Sequence, residues 1–130
     1  MDILGSSLAV AASGMEAQAV RLRHLSENIA NADTPGYRRK MIGFEPAEGE
    51  GVTPGMVEPG RVELDRRTLA RIYDPASPLA NGEGYYDGSN VDIVTEIADA
   101  REAQRSYEAN LRMFEQTRQM TQSLFELLRR

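Results

Sequence analysis

Apolar side chains between residues 4 and 30 recur at Leu4, Leu8, Ala11, Met15, Leu22, Leu25 and Ile29, in steps of three, four or seven. This is the heptad spacing of a helix with one apolar seam, broken once at the polar Gln18. Gly5, Ser6, Ser7, Ser13 and Gly14 weaken the first half as an isolated helix, and their small size lets another helix approach closely. The pattern returns over 91–128. Ile93, Ile97, Ala100, Tyr107, Leu111, Phe114, Phe125 and Leu128 follow one face, and Met113, Met120, Leu124 and Leu127 widen it. Ser89 stands three residues before Asp92 at capping-box spacing, with Asn90 as the alternative N-cap. Arg129 and Arg130 suit the negative end of that helix.

The stretch between the helices is of another kind. Residues 41–90 hold eight of the eleven glycines and five of the six prolines. No long helix fits there. Val62 and Leu64, then Thr68, Ala70 and Ile72, alternate with polar residues on either side of Arg66-Arg67, which predicts a short β-hairpin across that pair. Residues 45–60 and 74–90 read as loops. The expected fold is therefore mainly α: long N- and C-terminal helices paired as a coiled coil, with a small β-hairpin-containing insert between them. Residues 1–34 and 91–130 would form the helical coiled-coil domain and residues 35–90 the irregular, β-rich insert. The second helix's stripe is too wide for one partner helix. Its remainder is expected to be buried between subunits. The bland alternative is a single intramolecular hairpin with the insert folded over it.

Composition narrows the function. At 130 residues the chain suits one domain with a modest core. The net charge of −5 gives no footprint for nucleic acid. That charge is concentrated in residues 41–90, where nine acids face four cations, while the outer segments sum to about zero. Absence of cysteine removes disulfides and thiolate chemistry together. No apolar run reaches membrane-spanning length, and the start Met-Asp-Ile-Leu has none of the features of a cleaved signal peptide. Those features alone would place the chain in the cytoplasm.

Candidate chemistry is sparse. His24 is the only histidine, lies off the Leu22/Leu25 seam and has no second ligand for a metal, so a surface or interfacial role is expected. Glu45, Glu48 and Glu50 lie in a Gly/Pro-rich stretch without an apolar pocket to raise a carboxyl pKa, which argues against glycoside cleavage. Ser6, Ser7, Ser13 and Gly14 read as helix-contact residues rather than nucleophiles. Arg38, Arg39 and Lys40 are too few for a membrane signal, and an inter-subunit salt bridge is expected of them. No catalytic, metal or cofactor residue and no small-molecule substrate is expected.

Residues 27–40, Glu-Asn-Ile-Ala-Asn-Ala-Asp-Thr-Pro-Gly-Tyr-Arg-Arg-Lys, close the first helix. Asn28 and Asn31 are one turn apart, so both amides can serve the last free carbonyls. Asp33 can form an Asx turn. Thr34-Pro35-Gly36-Tyr37 suits a type II turn, with proline fixing φ and glycine supplying φ > 0. Physics gives a helix end with a sharp, fixed exit.

The run Asn28, Ile29, Ala30, Asn31 and Thr34, Pro35, Gly36, Tyr37 also resembles the signature of the flagellar axial proteins, the rod, hook and hook-associated subunits. A second likeness lies toward the other end, in Tyr73-Asp74-Pro75, Pro78, Gly84-Tyr85, Asn90-Val91 and Arg105-Ser106-Tyr107-Glu108-Ala109-Asn110-Leu111. These runs and the short length resemble the proximal rod subunits within that family, and the Arg105–Leu111 run argues against the sister short subunit. The likeness covers roughly residues 1–44 and 72–130. Ser77 and Ser89 depart from a His and a Pro common at those places, and Ile97 and Ala100 replace Met positions. The resemblance implies a structural protein without catalysis. It would be exported through the flagellar type III export apparatus without a cleaved signal peptide and would polymerise in the periplasm. Implied partners are copies of itself, other rod proteins, and the export gate and membrane ring beneath. Leu8, Met15, Leu22, Ile29, Tyr107, Leu111, Phe114, Leu124 and Leu128 would then be assembly contacts. Rival readings are a peptidoglycan hydrolase and a cytoplasmic coiled-coil adaptor.

Overall fold

The computed structural model describes residues 3–130. Met1 and Asp2, which the expected first helical segment includes, lie outside them. Helix α1 spans Ile3–Ala30 and helix α2 spans Ile93–Arg129. Between them run six short strands: β1 Lys40–Met41, β2 Phe44–Pro46, β3 Val57–Pro59, β4 Glu63–Leu64, β5 Arg71–Tyr73 and β6 Tyr85–Asp87.

The helices pack antiparallel. Asn28 Nδ2 reaches Glu96 Oε2 at 3.2 Å, Arg21 approaches Glu102 at 3.9 Å, and a Cβ on Gly14 would come within 2.7 Å of the Asn110 amide. As one number falls the other rises. The meeting face of α1 therefore runs Val10, Gly14, Ala17, Arg21, His24 and Asn28, and that of α2 runs Glu96, Ala103, Asn110 and Thr117. Both have heptad spacing. The α1 face is offset by one residue, about 100°, from the apolar seam read in the sequence. Ala11 and Leu25 of that seam are buried, but Leu4, Leu8, Met15, Leu22 and Ile29 stay half-buried. Small residues win the contact because they let the backbones close up, and ion pairs flank them where the seam turns polar.

The core is correspondingly thin. Among the described residues the buried apolar side chains are Ala11, Ala17, Leu25 and Ala103, and the largest fully buried side chains are Glu96 and Asn28. His24, expected at the surface or in an interface, is 8% exposed, beside Glu27 and a cavity shared with Arg39, Lys40 and Asp99.

The insert corrects the sequence reading. No hairpin crosses Arg66-Arg67. β4 pairs antiparallel with β1, Leu64 opposite Lys40, and β5 pairs with β6, Ile72 opposite Tyr86. β2 and β3 form a hairpin over 44–59, nearly all of it in the stretch 45–60 read as loop, and β6 lies within 74–90, also read as loop. Strands of two or three residues are too short to show a period of two, and Pro46 and Pro59 at the strand ends disguise the first hairpin. That hairpin rests on α1: Val57 N–H donates to Ser13 Oγ at 3.1 Å, and Gly55 packs over Val10.

Candidate assembly site

At the end of α1, Asn28 bonds both the insert and α2. Asn28 has no exposed surface, and its amide is used completely. Its Nδ2 donates to Lys40 O at 2.9 Å and to Glu96 Oε2, while its Oδ1 accepts from Lys40 N–H at 2.9 Å and Tyr37 O–H at 2.8 Å. It caps no carbonyl of its own helix. Asn31 does that, donating to Glu27 O at 2.8 Å and accepting from Thr34 Oγ1 at 3.1 Å. The expected turn follows: Tyr37 N–H donates to Thr34 O at 3.2 Å and Gly36 has φ +75°. Gly36 N–H also donates to Asp87 O and Gly88 O, so the turn is stitched to β6.

Charge gathers beside this joint. Arg39 Nε bonds Glu96 Oε1, its guanidinium reaches Asp99 Oδ2 at 3.1 Å, and Asp65 Oδ2 lies 3.8 Å away. Asn90 takes Arg39 N–H on Oδ1 at 2.7 Å and gives Nδ2 to Asp65 O at 2.9 Å. Ser89 Oγ donates to Ala32 O. Neither Ser89 nor Asn90 caps α2. That role falls to Asp92, in extended backbone, whose Oδ1 accepts from Val94 N–H at 3.1 Å. Arg39 and Lys40 thus pair inside the chain, where an inter-subunit bridge was expected, because the turn carries them back over α1 and α2. Lys40 Nζ lies 2.7 Å from Glu27.

These pairings set the protonation states. The Arg67 side chain, then its backbone N–H, hold the Asp65 carboxyl below the ordinary range. Lys40 lowers Glu27, and Glu27 raises Lys40 in return. Burial raises the Tyr37 phenol. The polar side chains of Asn28, Arg39, Asn90 and Glu96 answer one another, so this cluster acts as a fastener.

The opposite end is bare. The antiparallel register brings Ile3 level with about residue 121, so α2 runs on past it for roughly 12 Å. Leu124, Phe125, Leu127 and Leu128 on this overhang are 49–80% exposed. Ile93, Val94, Ile97, Leu111, Met113 and Met120 are also exposed along α2.

The residues singled out from sequence fall into two groups. Asn28, Asn31, Thr34, Gly36 and Tyr37 come together at the joint, with Ile29 half-buried beside them and Ala30 and Pro35 exposed. Leu8, Met15 and Leu22 are half-buried on α1, as are Tyr107 and Phe114 on α2, while Leu111, Leu124 and Leu128 are exposed. Sequence reasoning missed Arg39, Asp65, Asn90, Glu96 and Asp99 as a cluster. One signal was available: Glu96 sits three residues after Ile93 and four before Ala100, an acid at a seam position.

Known proteins place this architecture. Residues 8–38 match the family described as "Flagella basal body rod protein", and residues 83–127 match "Flagellar basal body rod FlgEFG protein C-terminal". A protein of Agrobacterium fabrum named "Flagellar basal-body rod protein FlgC" is 41% identical across 99% of this chain and 98% of its own length. The chain belongs to the FlgC family of flagellar basal-body rod proteins. FlgC proteins of Bacillus subtilis and Salmonella typhimurium are 33% and 34% identical, covering 93% and 92% of this chain and 95% and 88% of their own lengths. Membership makes the chain a structural subunit of the flagellar rod and not an enzyme, so the hydrolase and adaptor readings fall. The FlgC matches extend through the insert, which the sequence resemblance had left unassigned. The first matched family segment ends at Arg38, just past the turn, and so takes in Asn28 and Tyr37 but not Arg39 or Lys40.

Proposed function

We propose that this rod subunit builds the proximal rod, polymerising helically in the periplasm and transmitting torque from motor to hook through packed helices. In this reading α1 and α2 pair as a coiled coil and form the axial domain with residues 1–34 and 91–130, while residues 35–90 form the side domain. Leu8, Met15, Leu22, Ile29, Tyr107, Leu111, Phe114, Leu124 and Leu128 make the contacts between protomers. The single observation that carries it is the thin core beside a wide uncovered stripe: ten large apolar side chains of α2 are exposed. Exposed apolar area on this scale marks a surface meant for association. Head-to-tail contacts that do not close on themselves give an open helical assembly.

A thin core also suits passage through the flagellar type III export apparatus, without a cleaved signal peptide. A chain that must unfold to be threaded gains from marginal helices that become ordered on assembly. Partners are then copies of itself, the other rod proteins, the export apparatus, and the gate and membrane ring beneath. Mass spectrometry of purified hook–basal bodies tests this. The chain should appear there in fixed ratio to the other rod proteins. A chain confined to the cytoplasm of motile cells would overturn the reading.

A further inference from the structure

The outward face of α2 carries a groove of ≈ 430 Å³ lined by Val94, Ile97, Ala98, Arg101, Glu102 and Arg105. Val94, Ala98, Arg101 and Arg105 lie about half a turn round the helix from Glu96 and Ala103, so the groove faces directly away from α1. Its floor is apolar, with Val94 76% and Ile97 41% exposed. Among the described residues neither Arg101 nor Arg105 has an ion-pair partner, whereas Glu102 is turned toward Arg21. The result is an apolar trough with a free positive rim.

The matching surface is elsewhere on the same molecule. The β2–β3 hairpin and its loop carry Glu45, Glu48, Glu50 and Glu58 with no cation between residues 44 and 60. Glu45 stands directly opposite Glu58 across the ladder, an arrangement of like charges that costs stability unless something answers it. Glu16 of α1 joins Glu48 and Glu58 around one cavity. All five carboxylates are exposed and without an ion-pair partner among the described residues. Val52 and Met56 supply half-buried apolar contact area in the same loop.

These surfaces cannot meet within one chain. The hairpin is seated on α1 at Val10 and Ser13, level with about residue 111 of α2. The groove, at residues 94–105, lies roughly 9–25 Å further along the axis, on the side of α2 that faces away from α1. We infer that the Arg101/Arg105 groove receives the acidic β2–β3 hairpin of a second copy of this chain. The contact rests on the rod-subunit reading and names one of its lateral interfaces. Charge complementarity fixes which neighbour face is accepted and steers the encounter, while Val94 and Ile97 supply the buried area.

A charge swap tests it. One variant carries Arg101→Glu and Arg105→Glu, a second carries Glu48→Arg and Glu58→Arg, and a third combines all four. Each is expressed as the full chain in cells lacking the native copy, and its recovery in purified basal bodies is measured. All four positions are exposed, and circular dichroism of the purified chains checks that the helices persist. Each single-sided reversal should lower recovery about tenfold or more, because like charges then face each other across the contact. The combined swap should return most of it. Full recovery of either single-sided variant, or a combined swap no better than its parents, overturns the contact. Loss of the unmodified chain from basal bodies would instead overturn the rod reading itself. Independently, Glu50→Cys with Arg101→Cys should give an oxidised cross-link between copies in basal bodies, in a chain that otherwise has no cysteine. Absence of that cross-link argues equally against the contact.

Discussion

The two ends of the helix pair are built on opposite principles. At the joint, α1 closes on charges and amides: Asn28, Arg39, Glu96, Asp65 and Asn90 answer one another inside a single chain. At the far end α2 runs on alone and leaves Leu124, Phe125, Leu127 and Leu128 in water. Directional polar contacts have one good geometry, so the joint fixes the insert against the helices. Apolar surface has no preferred partner orientation and gains wherever it is covered. The first end is satisfied within one molecule, and the second leaves its apolar surface uncovered.

The largest expected effect breaks the joint. Arg39→Met leaves the Glu96 carboxylate buried with Asn28 as its remaining contact. Removing one partner of a buried pair costs about 3–5 kcal/mol. Urea unfolding of the isolated chain should show that loss, and an unchanged midpoint would mean the joint is not the stabilising end. The bare end should behave in reverse. Leu124→Ser with Leu128→Ser should alter unfolding of the isolated chain by less than about 0.5 kcal/mol, as for exposed sites generally. The same double variant should be largely lost from basal bodies. Lost stability without lost assembly would invert the comparison.

Gly36→Val is an intermediate case. Nothing lies within 4 Å of the added Cβ, so the cost is backbone strain at φ +75°, about 1–3 kcal/mol. Export should continue while motility falls, read by secretion assay and swimming. Normal swimming would show that the turn does not set subunit stacking.

Acid sharpens the contrast more gently. Asp65 and Glu27 are held below their ordinary pKa by Arg67 and Lys40. Their contribution is therefore present above the unfolded-state value of about 4 and is lost as pH falls through the depressed folded-state value. Thermal unfolding between pH 6 and 2, as approximate limits, should show a decline that Asp65→Asn makes shallower. An identical profile in that variant would remove Asp65 from the account. The smallest effect is at the seam. Gly14→Ala sets a Cβ against a side-chain amide that can swing away and also favours the helix, so the two changes should nearly cancel. Gly14→Leu, which cannot be accommodated that way, should lower the melting temperature.

Much of this was legible in the residues. Heptad spacing gave both helices to within two residues, and Pro35-Gly36 gave the exit turn, because these depend on neighbours three or four residues apart. The signature at Asn28–Tyr37 pointed to the family. The strand partners were not legible. Each ladder of the insert is two or three residues long, and the two strands of each are joined by ten residues or more, so no local period records them. The helix faces were only half legible. Periodicity says which residues share a stripe, but not which stripe a neighbour takes. In this protein the closely approaching small residues Gly14, Ala17 and Ala103 took the contact, and most of the larger apolar side chains were left half-buried or exposed. Asn28 shows the division most clearly. Sequence placed it at a helix end, where an amide ordinarily caps its own carbonyls. Only the tertiary structure, by bringing Lys40, Tyr37 and Glu96 around it, made it the buried joint between three parts of the fold, because long-range hydrogen bonds depend on positions that no local spacing encodes.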